Sequence, residues 1–175
     1  MTTSIFLRKY IWFIALLAIV IYLYIFHFRS GTINPSNKEF AVTDTSSITS
    51  ITISTDSTMI KLNRTHNGWM LNDNFKTRDD AVNALLNVIN RIDAGVPIPK
   101  SVSDSLKSVL ESNGLKVDIY KDERIVKSYS IHSTLTLNLG TIGKLKRAGE
   151  AFTVQMPGFK GDIASLFVIE PDYWK

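Results

Sequence analysis

Leu115-Lys116-Val117-Asp118-Ile119-Tyr120 and, beyond Lys121-Asp122-Glu123-Arg124, Ile125-Val126-Lys127-Ser128-Tyr129-Ser130-Ile131 decide how this chain folds. In the first run, apolar Leu115, Val117 and Ile119 alternate with Lys116, Asp118 and Tyr120. Successive side chains on a strand point to opposite faces, so a period of two marks a strand with one buried face. The charged tetrapeptide turns the chain, and the second run returns as a partner strand.

Working back, the period lengthens. Ser101-Val102-Ser103-Asp104 opens a short helix with Leu106, Val109 and Leu110 on one face, and Asn113-Gly114 is its stop. Before it, Thr77-Arg78-Asp79-Asp80 opens a longer helix. Thr77 is placed to cap it, and the aspartates suit the positive end of its dipole. Val82, Leu85, Leu86, Ile89 and Ile92 form the apolar stripe, and Gly95 and Pro97 end the helix. Further back, Ile51-Thr52-Ile53, Met59-Ile60-Lys61-Leu62 and Trp69-Met70-Leu71 read as a three-stranded meander, its second turn at Asn67-Gly68. Trp69, Leu85, Leu86, Ile89 and Leu110 are the expected core.

Working forward, 135–139 and 151–155 read as two more strands, separated by a basic loop, Lys144-Leu145-Lys146-Arg147. Pro157-Gly158 is a turn, and the apolar run 163–169 fits either helix or strand. Three strands, two helices and then about four strands imply an α+β domain, an antiparallel sheet with helices packed on one face.

The most apolar stretch is 10–28, which holds no Asp, Glu, Lys, Arg, Gly or Pro. As a helix its 19 residues would span roughly 28 Å, close to a bilayer's hydrocarbon thickness. Its 12 Leu, Ile, Val and Phe residues favour insertion by about 4 to 7 kcal/mol. The sequence therefore predicts a single transmembrane helix at 10–28, a cytoplasmic N-terminus at 1–9, a juxtamembrane linker at 29–44 and a folded domain at 45–175. Arg8 and Lys9 before the segment, against Arg29 after it, set that orientation. Tyr10, Trp12, Tyr22, Tyr24 and Phe28 suit the two interfacial belts, and His27 lies in the last turn, within reach of headgroups. A cleaved signal peptide fits less well: the apolar run is too long, and Phe28 occupies the position three residues before a cut after Ser30.

The pI of 9.3 invites a nucleic-acid reading. Arg8, Lys9 and Arg29 flank the apolar stretch, however, which leaves 17 Lys and Arg against 16 Asp and Glu for the rest of the chain. That near-neutral remainder speaks against nucleic acid. There are no cysteines, so disulfides and thiol chemistry are excluded.

No catalytic motif emerges. His27, His66 and His132 lie at no metal-ligand spacing, so neither a metal nor a cofactor is expected. Asp79-Asp80 is better explained by the helix start than as a paired-carboxylate site. Gly140-Thr141-Ile142-Gly143-Lys144 departs from the phosphate-loop spacing and reads as a β-turn. Ser133 and His132 are strand neighbours facing opposite ways, which does not make a nucleophile and base.

Several motifs together carry a resemblance: Phe40-Ala41-Val42 before Asp44-Thr45, Gly68-Trp69 closing a hairpin, Thr77-Arg78-Asp79-Asp80-Ala81 opening a helix, Pro97-Ile98-Pro99-Lys100, Asn138-Leu139-Gly140-Thr141 and Met156-Pro157-Gly158-Phe159. Over about 40–174 the chain resembles a bacterial family, the domain of unknown function 4340, seen in membrane-anchored envelope proteins of Gram-negative bacteria. Related domains occur in auxiliary components of gliding-motility ABC transporters. The resemblance implies an inner-membrane protein whose periplasmic domain has no assigned catalytic residues. Members usually run on past the position of Trp174, which implies final strands that are lacking or completed by a partner.

The function expected is a non-enzymatic, single-pass inner-membrane protein that binds or scaffolds other envelope proteins, with the lipid bilayer and those proteins as its partners. The alternative is a membrane-anchored periplasmic enzyme of unrecognised class. The candidate partner surface is the uncharged, alternating run 151–156, presenting Phe152, Val154 and Met156 as an open sheet edge, with Lys144, Lys146 and Arg147 steering an acidic partner. The same run also fits an interior strand.

Overall fold

The computed structural model describes residues 16–21, 39–134 and 140–175. The chain divides into two compact units, Met1–Asn34 and Pro35–Lys175. In the first, 16–21 is helical, and Leu16, Leu17, Ile19, Val20 and Ile21 are exposed. Among the described residues no helix is long and apolar enough to cross a membrane. Arg8, Lys9, Tyr10, Trp12, Tyr22, Tyr24 and Phe28, which carried the anchor and its orientation, lie outside the described residues.

The second unit is dominated by strands: β1 Ser50–Ser54, β2 Met59–Thr65, β3 Gly68–Leu71, β4 Phe75–Lys76, β5 Asp93–Pro97, β6 Leu115–Lys121, β7 Arg124–Thr134, β8 Gly140–Leu145 and β9 Phe152–Gln155. They form one nine-stranded antiparallel sheet in the order β4-β3-β2-β1-β6-β7-β8-β9-β5. Two α-helices interrupt them, α1 Asp79–Arg91 and α2 Lys100–Asn113. The expected fold, a transmembrane helix followed by an α+β domain with helices on one face, is corrected to a nine-stranded sheet accompanied by three short helices.

The helices do not share a face. Paired residues of neighbouring strands lie on the same side of a sheet, so register assigns the faces. Val117 pairs with Tyr129, Tyr129 with Leu145, Ile131 with Gly143, and Gly143 with Phe152. Ile51, Ile53, Ile60 and Leu62 continue that face, and all four are fully buried. Phe40 packs edge-on against Tyr129 at 5.5 Å between ring centroids, with Phe167 on Tyr129 at 6.2 Å. The Val42 N–H donates to the Ile89 carbonyl of α1 at 3.0 Å, which holds α1 over the same face. Ile142, one residue from Gly143, points the other way, into a cluster with Leu106 and Leu110 of α2 and with Ile98 and Ala151. β8 is thus covered on both sides, by α1's layer and by α2.

Two strands escaped the sequence reading because their residues also read as punctuation. Gly140-Thr141-Ile142-Gly143-Lys144 is strand β8, not a β-turn. Gly143 is there for clearance: a Cβ would stand 2.6 Å from Val154 Cγ2 and 3.0 Å from Phe40 Cε1. Asp93–Pro97, read only as a helix stop, is strand β5 and pairs with β9. The strand expected at 135–139 lies outside the described residues.

The core contains Trp69, Leu85, Ile89 and Leu110 as expected, whereas Leu86 is only half-buried. Ala81, Val82, Leu85, Val88 and Ile89 form α1's buried stripe, and Leu86, roughly 100° further round than Leu85, falls outside it. Thr77 does not cap α1. Its hydroxyl donates to the Trp69 carbonyl at 3.0 Å, so it ties the helix entry to β3 instead. The segment 163–169 is neither α-helix nor strand but centres on a 3₁₀ turn, Ala164–Leu166, anchored where Thr141 Oγ1 donates to Asp162 Oδ1 at 2.6 Å and accepts the Ile163 N–H at 2.9 Å.

Candidate interaction surface

Strand lengths create the most distinctive surface. β7 has 11 residues and β8 has 6. Their ladder runs from Thr134–Gly140 to Tyr129–Leu145 and ends there. One further bond follows, from the Lys146 N–H to the Ser128 carbonyl at 2.9 Å, and then the Ala148 N–H closes on the Leu145 carbonyl and turns the chain away. β6 continues beside β7 down to Lys121–Arg124. Residues 124–127 therefore have a strand on one side and, among the described residues, none on the other.

The overhang is apolar where a protected edge would be polar. Ile125 is 46% exposed and Val126 41%. Ile119 pairs with Lys127 and Tyr120 with Ile125, which makes Val126 the extra residue of a β-bulge. A bulge breaks the strict alternation of faces. Here it leaves two adjacent aliphatic side chains in solvent.

Beside them lies an open groove of about 430 Å³, lined by Ile125, Val126 and Leu145 together with Lys127, Lys146 and Arg147. Among the described residues no carboxylate lines it. Lys127 is already engaged, its Nζ donating to the Glu39 carbonyl at 2.6 Å with Glu39 Oε2 at 3.6 Å. Lys146 and Arg147 are exposed, and among the described residues neither has an ion-pair partner. The groove is a positive, partly apolar surface along an open strand.

The residues singled out in the sequence separate. Lys146 and Arg147 border the groove. Lys144 is turned to the opposite face, where its Nζ lies 3.7 Å from Glu111 Oε1 of α2. Phe152, Val154 and Met156 are buried at 0%, 6% and 9% exposure. β9 is paired on both sides, with β8 through Thr141–Val154 and Gly143–Phe152 and with β5 through Ala94–Val154 and Pro97–Phe152. The expected open edge at 151–156 is corrected accordingly: β5, supplied from 60 residues upstream (Ala94 to Val154), closes it. Ile125 and Val126 were read only as part of a strand. The signal that marked them was their adjacency, two aliphatics side by side where a half-buried strand alternates.

The titratable candidates do not converge. His66 is exposed in the β2–β3 turn, and His132 on β7 sets its Nδ1 3.2 Å from the Asn113 carbonyl. β2, β1 and β6 intervene between them in the sheet. Asp80 is held by Arg78 at 2.8 and 3.2 Å, and this hydrogen bonding keeps its carboxyl below the usual carboxylate range. Among the described residues no three His, Asp or Glu side chains group as a metal site. Tyr129, fully buried, has its phenol pushed upward by desolvation and finds no hydrogen-bond partner among the described residues.

Comparison with protein-family models, curated proteins and solved structures finds no match. The resemblance to the domain of unknown function 4340 rests on the sequence motifs alone.

Proposed function

We propose that this chain is a non-enzymatic binding module held at the inner membrane, with its folded unit in the periplasm, where it scaffolds other envelope proteins as an accessory subunit. The observation that carries the reading is the β7 overhang: Ile125 and Val126, 46% and 41% exposed, beside an unpaired strand edge and the cations Lys146 and Arg147. Exposed aliphatics beside open backbone are a liability that a partner removes. Membrane attachment is supported by the uncharged stretch 10–28 and orientation by Arg8 and Lys9 before it.

The test places a photo-crosslinking residue at Val126 in the full chain in living cells. The expected result is a discrete adduct with one envelope protein, lost when Ile125→Asp is added. No discrete adduct, or the same adduct with and without Ile125→Asp, overturns the reading. A reporter active only in the periplasm, fused after Lys175, checks the orientation: it should be active there and silent when fused before Met1.

A further inference from the structure

We infer that the β7 overhang takes an extended, acidic segment of its partner as an added β-strand. This rests on the binding-module reading above and specifies its ligand. Three observations converge on it.

The first is backbone. Among the described residues the sheet has two outer strands, β4 and β5, and several strand ends that overrun their neighbours. The longest overrun is that of β7, those of β2, β3 and β8 being three residues or fewer. β4 has two residues, too few to template a strand. β5 contains Pro97, which offers no N–H, and commits the Ala94 N–H to the Asp93 carboxylate at 2.8 Å. Among the described residues only 124–127 runs for four residues without proline or a neighbouring strand, roughly 13 Å at about 3.3 Å per residue, Ser128 already accepting the Lys146 N–H.

The second is side-chain chemistry. An incoming strand brings alternate side chains over Ile125 and Val126 and removes them from water. Strand addition draws affinity from the main chain and specificity from such alternating contacts.

The third is charge. Lys146 and Arg147 flank the groove, and among the described residues no carboxylate lines it, while Arg124 is exposed in the adjoining depression beside Asp122 and Glu123. Like charges directly across a strand pair are destabilising. Two copies of this chain meeting antiparallel along 124–127 would set Arg124 of each against Lys127 of the other. The cations that disfavour self-pairing favour a strand carrying Asp or Glu.

The test uses the full chain in non-ionic detergent and three fluorescent hexapeptides: alternating Glu and Val, the same peptide N-methylated at every second residue, and its alternating Lys and Val counterpart. The expected result is that the Glu-Val peptide binds at least ten times tighter than either other peptide. Ile125→Asp, and separately Lys146→Glu with Arg147→Glu, should each weaken it at least tenfold. Equal binding of the N-methylated peptide overturns strand addition, since that peptide keeps its charge and side chains but cannot complete the ladder. Equal binding of the Lys-Val peptide overturns the acidic preference, and absence of binding by the Glu-Val peptide overturns the inference as a whole. A Val126 crosslink that survives any of these outcomes leaves the binding-module reading standing, whereas loss of the crosslink removes both.

Discussion

β9 and the first half of β7 differ both in sequence and in what flanks them, and the sequence difference points the wrong way. Phe152-Thr153-Val154-Gln155 is uncharged and alternating, and it lies between β8 and β5. Arg124-Ile125-Val126-Lys127 is charged at both ends and breaks alternation, yet among the described residues one of its sides has no strand beside it. Apolar alternation reports that a strand has a buried face. It does not report whether both of its edges are filled, because an edge is filled by whichever distant strand reaches it. For β9 that strand comes from between the two helices. For β7 the candidate neighbour, β8, is five residues shorter and turns away at Lys146.

Substitutions can break this contrast. The largest effect is expected at Phe152, fully buried between two strands and opposite Gly143. Phe152→Ala should destabilise by about 3–5 kcal/mol in denaturant unfolding. A loss under about 1 kcal/mol would mean that β9 is not interior. On α1, Leu85→Ala should cost about 2–5 kcal/mol, and Leu86→Ala clearly less, since Leu86 is only half-buried. Equal losses would contradict the orientation of α1. Lys144→Met removes an ion pair whose carboxylate side is 73% exposed, and a loss of at most about 1 kcal/mol is expected. The smallest effect on folding belongs to Ile125→Ser, within about 0.5 kcal/mol because the side chain is already in solvent. The same substitution should weaken partner binding by tenfold or more, and a variant that lost stability but kept binding would reverse the contrast.

How much of this was legible follows from the residues. β1, β2, β3, β6 and β7 declared themselves through β-branched and aromatic residues at period two, and both helices through their stripes. β8 was hidden because Gly140 and Gly143 read as turn residues, while Gly143 is a glycine for want of space beside Val154 and Phe40. β5 is hidden because Gly95 and Pro97 end α1's pattern so well that they mask the strand they belong to. The separation of the helices onto opposite faces depends on register across four strands, a long-range property that local periodicity does not encode. Of the candidate site, Lys146 and Arg147 are legible as a basic cluster near an expected open edge. The edge itself was assigned to the wrong strand, since it arises from the unequal lengths of β7 and β8.

The most direct test of the open edge is native-state hydrogen exchange of the full chain, comparing 124–128 with 152–155. Strands paired on both sides open only with the larger unit, whereas amides facing an open edge exchange early. With an open edge, 152–155 stays protected while about half the amides of 124–128 exchange near their intrinsic rates. Equal, slow exchange in the two segments would contradict it, for then the overhang already has a neighbour.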